Sequence, residues 1–177
     1  SNKNFKKMKL KLNFVNKAPK IAKDNEIILL TQKITKNREV KHLIKSVFSN
    51  KLFSEQNFLT KDYNDKSYIF VNCTNSKVSL DFEKLGSKLY VFLKENKKEN
   101  SFINLDNNTF TNVQLEKFLH GAQLKSYNFN LYKTDKKKDV DINLNVVGKG
   151  VKQKNLLRNK LSALLQGVFL TRDLVSE

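Results

Sequence analysis

The chain has 177 residues, 39% of them hydrophobic and 29% charged, and a formal net charge of +17. This length fits one domain with a buried core, and the longest unbroken apolar run, Leu89 to Leu93, is far too short to cross a membrane. The single cysteine, Cys73, excludes an internal disulfide and favours a reducing compartment, so we expect a cytoplasmic protein with no membrane partner. One cysteine and two histidines also exclude a zinc finger.

The positive charge comes almost entirely from lysine, since only Arg38, Arg158 and Arg172 are arginines. A field of this sign attracts polyanions such as nucleic acids. Lysine, asparagine and isoleucine are also the residues that an AT-rich genome over-uses, and codon drift explains the same composition. The charge alone is therefore weak support for nucleic-acid binding.

The first half of the chain reads as two strands and a helix. Alternating apolar residues from Met8 to Phe14 predict a half-exposed strand near a sheet edge, and the apolar run Glu26 to Thr31 predicts a strand buried on both faces. An amphipathic helix is predicted from the spacing of Val40, Leu43, Ile44, Val47 and Phe48. The polar stretch from Ser54 to Asp65 predicts a loop with turns.

The second half continues this alternation. A buried strand at Tyr68 to Val71 precedes a helical pattern from Phe82 to Leu93, and a short strand at Ser101 to Leu105 follows. Thr111 and Gln114 form a capping-box pattern that opens a third helix. After that helix, the alternating residues Tyr127, Phe129 and Leu131 fit either a new strand or the end of the same helix.

The last predicted elements are a strand and a long helix. Alternation from Val140 to Val146 predicts a half-exposed strand, and Gly148 and Gly150 form the turn into the helical pattern of the chain end. Strands that alternate with helices predict a layered α/β fold, with a mostly parallel or mixed sheet and helices on both faces. We predict a domain at residues 1–148 and a connector helix at 149–177. The apolar pattern of this helix continues to Val175, near the chain end, as it would in a fragment.

Few residues offer catalytic or metal-binding chemistry. Neither His42 nor His120 has a carboxylate at ligand spacing, and His120, placed near a predicted helix end, is expected to interact with the helix dipole. Cys73 is expected to be an inert core thiol, and Asp139 with Asp141 to offset nearby lysines. No glycine-rich phosphate loop is present. We therefore predict no catalytic residue, no metal ligand and no enzyme activity for this chain.

Three groups of basic residues could contact phosphates. They are Lys3, Lys6, Lys7, Lys9 and Lys11 at the start of the chain, Lys133, Lys136, Lys137 and Lys138 before the last strand, and Lys152, Lys154, Arg158 and Lys160 at the start of the final helix. Lysine contacts to phosphate position a protein without reading bases. The alternative function is therefore a DNA-binding module without sequence preference, and the ordinary explanation of such runs is a solvated face.

Two segments resemble the leucine aminopeptidase (cytosol aminopeptidase) family. The first matches the pattern G-x-x-L-x-x-Y-x-F-x-x-Y-K of its N-terminal domain, at Gly121, Leu124, Tyr127, Phe129, Tyr132 and Lys133. The second, Gly167 to Val175, resembles G-x-x-x-A-R-D-L-V at the junction with the catalytic domain, with Thr171 in place of alanine. Arg172 and Asp173 belong to this junction and carry no catalytic role.

The resemblance implies a macro-domain-like α/β domain that is joined by the connector helix to a missing catalytic domain. No cofactor is then expected in this fragment, because the two divalent metal ions, zinc or manganese, belong to the catalytic domain. Expected partners are that domain, the other subunits of a homohexamer, and DNA, which some relatives bind. Macro domains bind ADP-ribose through glycine-rich loops. The corresponding stretch here, Val71 to Ser76, has no glycine, so ADP-ribose binding is not expected.

Overall fold

The computed structural model describes residues 10–18, 24–32, 34–108, 110–131, 140–150 and 152–160, with the backbone alone at 129–131. A six-stranded sheet in the order β1-β6-β5-β2-β4-β3 forms its centre. The strands are β1 (Leu10–Val15), β2 (Asn25–Leu30), β3 (Phe58–Tyr63), β4 (Lys66–Asn72), β5 (Asn100–Asn104) and β6 (Ile142–Val147). All neighbouring strands are parallel except β3 and β4, which are antiparallel.

Helices cover both faces of this sheet. They are α1 (Ile44–Phe48), α2 (Lys51–Gln56), α3 (Ser79–Glu95), α4 (Asn112–Leu131) and α5 (residues 152–160). Apolar side chains of α3, α4 and α5 share one core with Ile27 and Leu29 of β2. Those of α1 and α2 share a second core with Ile28 and Leu30. Successive residues of β2 therefore enter different cores, which is why this strand reads as a continuous apolar run. The predicted layered α/β fold is confirmed.

Helices α3 and α4 pack unusually closely. A Cβ atom on Gly86 would lie 1.8 Å from the carbonyl oxygen of Phe118, and one on Gly121 would lie 1.9 Å from that of Glu83. Ser87 Oγ also donates a hydrogen bond to the carbonyl oxygen of Gly121, at 3.0 Å. The two glycines thus allow each helix backbone to contact the other.

Residues 58–63, predicted as part of a loop, form strand β3, and that prediction was wrong. Because β3 lies at the sheet edge, only Phe58 of this strand is buried. The strand therefore has weak hydrophobic alternation, and its sequence resembles that of a loop. The predicted turn is present at Asn64 and Asp65, whose φ angles of 50° and 59° close a two-residue hairpin.

Residues 127–131 are helical and not a strand, because α4 continues to Leu131. His120 therefore lies in the middle of α4, and the expected interaction with the helix dipole at a C-terminus was wrong. The predicted first helix is also shorter than its apolar pattern, since Lys41–Leu43 form a 3₁₀ turn before α1.

Several predictions fall outside the described residues. These are the basic residues Lys3, Lys6, Lys7, Lys9 and Lys136 to Lys138, the motif residues Tyr132 and Lys133, and the junction segment Gly167 to Val175. Of the predicted connector, residues 152–160 are helical. Among the described helices, none combines the length and apolar composition that crossing a bilayer requires.

Candidate functional site

The sheet has a topological switch point between β2 and β5. The chain passes from β2 to β4 on one side and from β5 to β6 on the other. In open parallel sheets, ligands bind outside the carboxyl ends of the strands at such a point. Here β2 and β5 pair only at Asn25 with Ser101 and at Glu26 with Phe102, so the strands separate toward their carboxyl ends.

Asn108 fills the gap between the separated strands. Its side chain is buried, and Leu29 donates its backbone N–H to Asn108 Oδ1 at 3.3 Å. Asn108 Nδ2 in turn donates to the carbonyl oxygen of Asn104 at 2.6 Å. One amide therefore replaces the missing strand pairing and forms the floor of the site.

A pocket of about 100 Å³ opens above this floor, and we call it the switch-point crevice. Its apolar wall comes from Leu105, Phe110 and Leu115. Two lysines from distant parts of the sequence, Lys36 and Lys152, also line it. Lys152 Nζ lies 3.9 Å from Asp106 Oδ1 in an exposed pair, which is worth little in free energy. The crevice is therefore lined by two positively charged side chains, one of which lies close to a carboxylate.

The start of α4 forms one side of the crevice. Thr111 Oγ1 accepts the backbone N–H of Gln114 at 3.1 Å, and Gln114 Oε1 accepts that of Thr111 at 3.1 Å. The predicted capping box is confirmed. The capping box satisfies two of the backbone N–H groups at the helix start, so these two are not free to bind an anion. The positive charge of the crevice comes instead from the side chains of Lys36 and Lys152.

Of the predicted basic residues of α5, one lines this site. Lys152 lines the crevice, Lys154 is exposed, and Arg158 is exposed and donates a hydrogen bond to Asn155 Oδ1 at 2.5 Å. Lys36 was not predicted, because a single lysine in a lysine-rich chain gives no signal. The loop after β2 carries Lys36 to the crevice.

A second polar cluster ties two loops to the middle of the sheet. Glu26 of β2 is 9% exposed, and its carboxylate accepts hydrogen bonds from the side-chain amides of Asn37 at 3.1 Å and Asn107 at 3.2 Å. Burial raises the pKa of Glu26, although both amides favour the charged form. Asn37 follows β2 and Asn107 follows β5, so Glu26 holds together the two loops that flank the switch point.

Glu39 lies beside this cluster and is more exposed. Tyr68 donates its hydroxyl to Glu39 Oε2 at 2.9 Å, and Lys66 Nζ donates to the same oxygen at 2.8 Å. These two hydrogen bonds lower the pKa of Glu39. Sequence patterns could not indicate either glutamate, because each of them meets its partners through long-range contacts.

The residues considered for catalysis or metal binding are not brought together. Cys73 is buried, and burial raises the pKa of its thiol. His120 is buried beside β1, and burial lowers its pKa, whereas His42 is exposed and packs edge-on against Tyr63. Asp141 is exposed, and Asp139 lies outside the described residues. Over the part of the chain that the structure describes, no three His, Cys, Asp or Glu side chains are grouped as metal ligands.

The fold belongs to the class of layered α/β domains with a mixed, mostly parallel sheet. Among solved structures, the chain is similar to a tomato leucine aminopeptidase mutant, with a TM-score of 0.59 and 16% sequence identity. The likeness covers 95% of this chain and 38% of the tomato chain, and at this identity it is a likeness of fold. No protein-family model and no curated protein sequence matches the chain.

Proposed function

We propose that this chain is the non-catalytic α/β domain of a protein related to leucine aminopeptidases. The observation that carries the proposal is the coverage of the fold likeness, which takes in 95% of this chain but only 38% of the aminopeptidase chain. A domain that accounts for about two fifths of such an enzyme leaves room for a separate catalytic portion.

The resemblance of the first motif supports the proposal at the residue level. Its glycine, Gly121, is the residue through which α4 contacts α3, and its Leu124 and Tyr127 are half-buried on the same helix. These residues therefore have a structural role in the domain. In this proposal the domain shapes access to the catalytic portion and supports hexamer assembly, and that portion holds two zinc or manganese ions.

An activity assay tests the non-catalytic assignment. The purified chain is incubated with leucine p-nitroanilide and Mn²⁺ or Zn²⁺, and we expect no release of nitroaniline above the metal-only control. Turnover that comigrates with the chain in gel filtration would refute the assignment. Reading the gene beyond the codon for Glu177 tests the relation independently. We expect the segment N-T-D-A-E-G-R, which is typical of the family's catalytic domain, and a gene without a metallopeptidase region contradicts the relation.

We also propose a second function, nucleic-acid binding without sequence preference, for the basic surface around the switch-point crevice. The supporting observation is that Lys36 and Lys152 line one crevice, with Lys154 and Arg158 exposed on the same short helix as Lys152. Each phosphate contact with duplex DNA makes the slope of log affinity against log salt more negative by about 0.9, so about six contacts give a slope near −5.

The salt dependence of binding to a DNA duplex distinguishes this surface from the general charge of +17. Replacing Lys36, Lys152, Lys154 and Arg158 with Gln should make the slope less negative by about 3 to 4. The control replaces Lys41, Lys45, Lys51 and Lys97 with Gln, which removes the same charge from other exposed positions. Equal effects of the two sets, or no binding at low salt, contradict the proposal.

A further inference from the structure

The outer edge of β3 and the neighbouring face of α3 form a groove that we call the edge groove. Its volume is about 410 Å³, and its apolar side chains are Phe58 of β3 with Val91 and Phe92 of α3. The rings of Phe58 and Phe92 stack with their centroids 5.0 Å apart. Lys88, Glu95 and Lys125 provide its charged groups.

The edge of β3 presents hydrogen-bonding groups beside this groove. The two-residue hairpin makes Tyr63 and Lys66 a hydrogen-bonded pair, and pairs alternate from there along the strand. The backbone bond from Asn72 N–H to the oxygen of Asn57, at 2.8 Å, follows the same alternation. The outward-facing N–H and C=O groups therefore belong to Phe58, Thr60 and Asp62. Within the described residues, no strand pairs with this edge.

The edge groove carries positive and negative charge at different points along α3. Lys88 and Glu95 are seven residues apart on α3, which separates them by about 10 Å along the helix axis. Lys125 of α4 adds a second positive charge to the groove. A partner with an acidic residue beside a large apolar one fits this arrangement. The net charge of +17 opposes pairing with a second copy of the chain.

We propose that the edge groove binds an extended peptide segment of a partner protein, in which acidic residues lie on one side of a large apolar residue. The peptide adds a strand to β3 through the outward groups of Phe58, Thr60 and Asp62. Its apolar side chain packs against Phe58, Val91 and Phe92. Its acidic residues pair with Lys88 and Lys125, and these contacts fix which way the peptide runs.

Fluorescence anisotropy with two rhodamine-labelled peptides tests the proposal. The acidic probe is G-S-E-D-F-T-V-T-S-G, and the control probe has Lys-Lys in place of Glu-Asp. Thr60→Pro removes the central outward N–H of β3, which a sheet edge tolerates, whereas Thr60→Val keeps it. We expect the acidic probe to bind about tenfold more tightly than the control probe, and Thr60→Pro to weaken it about tenfold while Thr60→Val does not.

A charge-reversal pair completes the test and does not depend on the proline variant folding. The double variant Lys88→Glu with Lys125→Glu should weaken the acidic probe about tenfold, whereas Lys84→Glu with Lys97→Glu, at exposed positions outside the groove, should not. Equal weakening by both pairs would show attraction to the overall charge and overturn the proposal. A wild-type dimer in sedimentation that Thr60→Pro converts to a monomer would also overturn it, in favour of a second copy.

Discussion

Two glycines decide how α3 and α4 pack. Glycine in a helix interior costs about 1 kcal/mol relative to alanine, yet both Gly86 and Gly121 lie inside long helices. The cost is offset by the close approach of the two backbones, since a Cβ at either site would overlap a carbonyl oxygen of the other helix. Gly121 is also the first residue of the motif that resembles aminopeptidases, so packing explains its presence there.

Gly121→Ala should destabilise the fold even though alanine is the better helix former. The added methyl group forces α3 and α4 apart, and overpacking of this kind costs about 1–3 kcal/mol or more. Urea denaturation followed by circular dichroism measures the change. Asn128→Ala, an exposed position on the same helix, serves as the control and should leave the stability nearly unchanged. A variant as stable as the wild type would mean that the helices do not contact each other through Gly121.

Two buried serines should respond differently to replacement by alanine, with only one of the variants losing stability. Both side chains are fully buried, but Ser126 Oγ accepts the backbone N–H of Leu10 at 3.0 Å, whereas no partner is found for Ser101 Oγ among the described residues. Ser126→Ala leaves a buried donor unsatisfied and should lower the free energy of unfolding by about 1–3 kcal/mol. Ser101→Ala removes an unsatisfied hydroxyl and should leave stability equal or raise it. Thermal unfolding of the two variants side by side checks both signs.

At the scale of the element, local signals worked best where a motif acts within a few residues. The capping box of α4 depends only on Thr111 and Gln114, and both of its hydrogen bonds are present. Strand β3 gave a weak signal because it lies at the edge and buries few side chains. The ambiguity at residues 127–131 arose because alternating apolar residues also occur on a helix that is partly covered on several sides.

The capping box should contribute measurably to the stability of α4. Thr111→Ala removes the acceptor of the Gln114 N–H and should cost about 1 kcal/mol, whereas Thr111→Ser keeps the hydroxyl and should cost less. Chemical denaturation gives the two values. In a double variant with Gln114→Ala, the losses should not be additive, because the two side chains act as one motif. Additive losses would mean that the residues act independently.

At the scale of the whole molecule, Glu26 makes stability depend on pH. Because burial holds its pKa above the ordinary value of 4.5, the folded protein binds the proton more tightly than the unfolded chain does. Its ionisation therefore lowers the free energy of unfolding as the pH rises from about 4.5 through the pKa of the folded state. The pKa of Glu39 is lowered, so its ionisation raises the free energy of unfolding as the pH rises toward 4.5.

Replacing each glutamate with glutamine should show these opposite signs. The stability of Glu26→Gln relative to the wild type should rise between pH 4 and pH 7, because the variant lacks the unfavourable ionisation. That of Glu39→Gln should fall as the pH rises toward about 4.5 from below and should then stay level, because the variant lacks a favourable ionisation. Urea denaturation from about pH 3 to pH 7 therefore measures both differences. The same sign for both variants would contradict the burial of Glu26.

The amino-acid sequence by itself determined the class of fold, most of the strands and the start of α4. These features follow from periodicity and capping, which act over a few neighbouring residues. The order of the strands, the switch-point crevice and the meeting of Lys36 with Lys152 were decided only by the tertiary structure. So were the contacts of Glu26 with Asn37 and Asn107, because groups far apart in sequence meet only where the packing of the sheet and its loops brings them together.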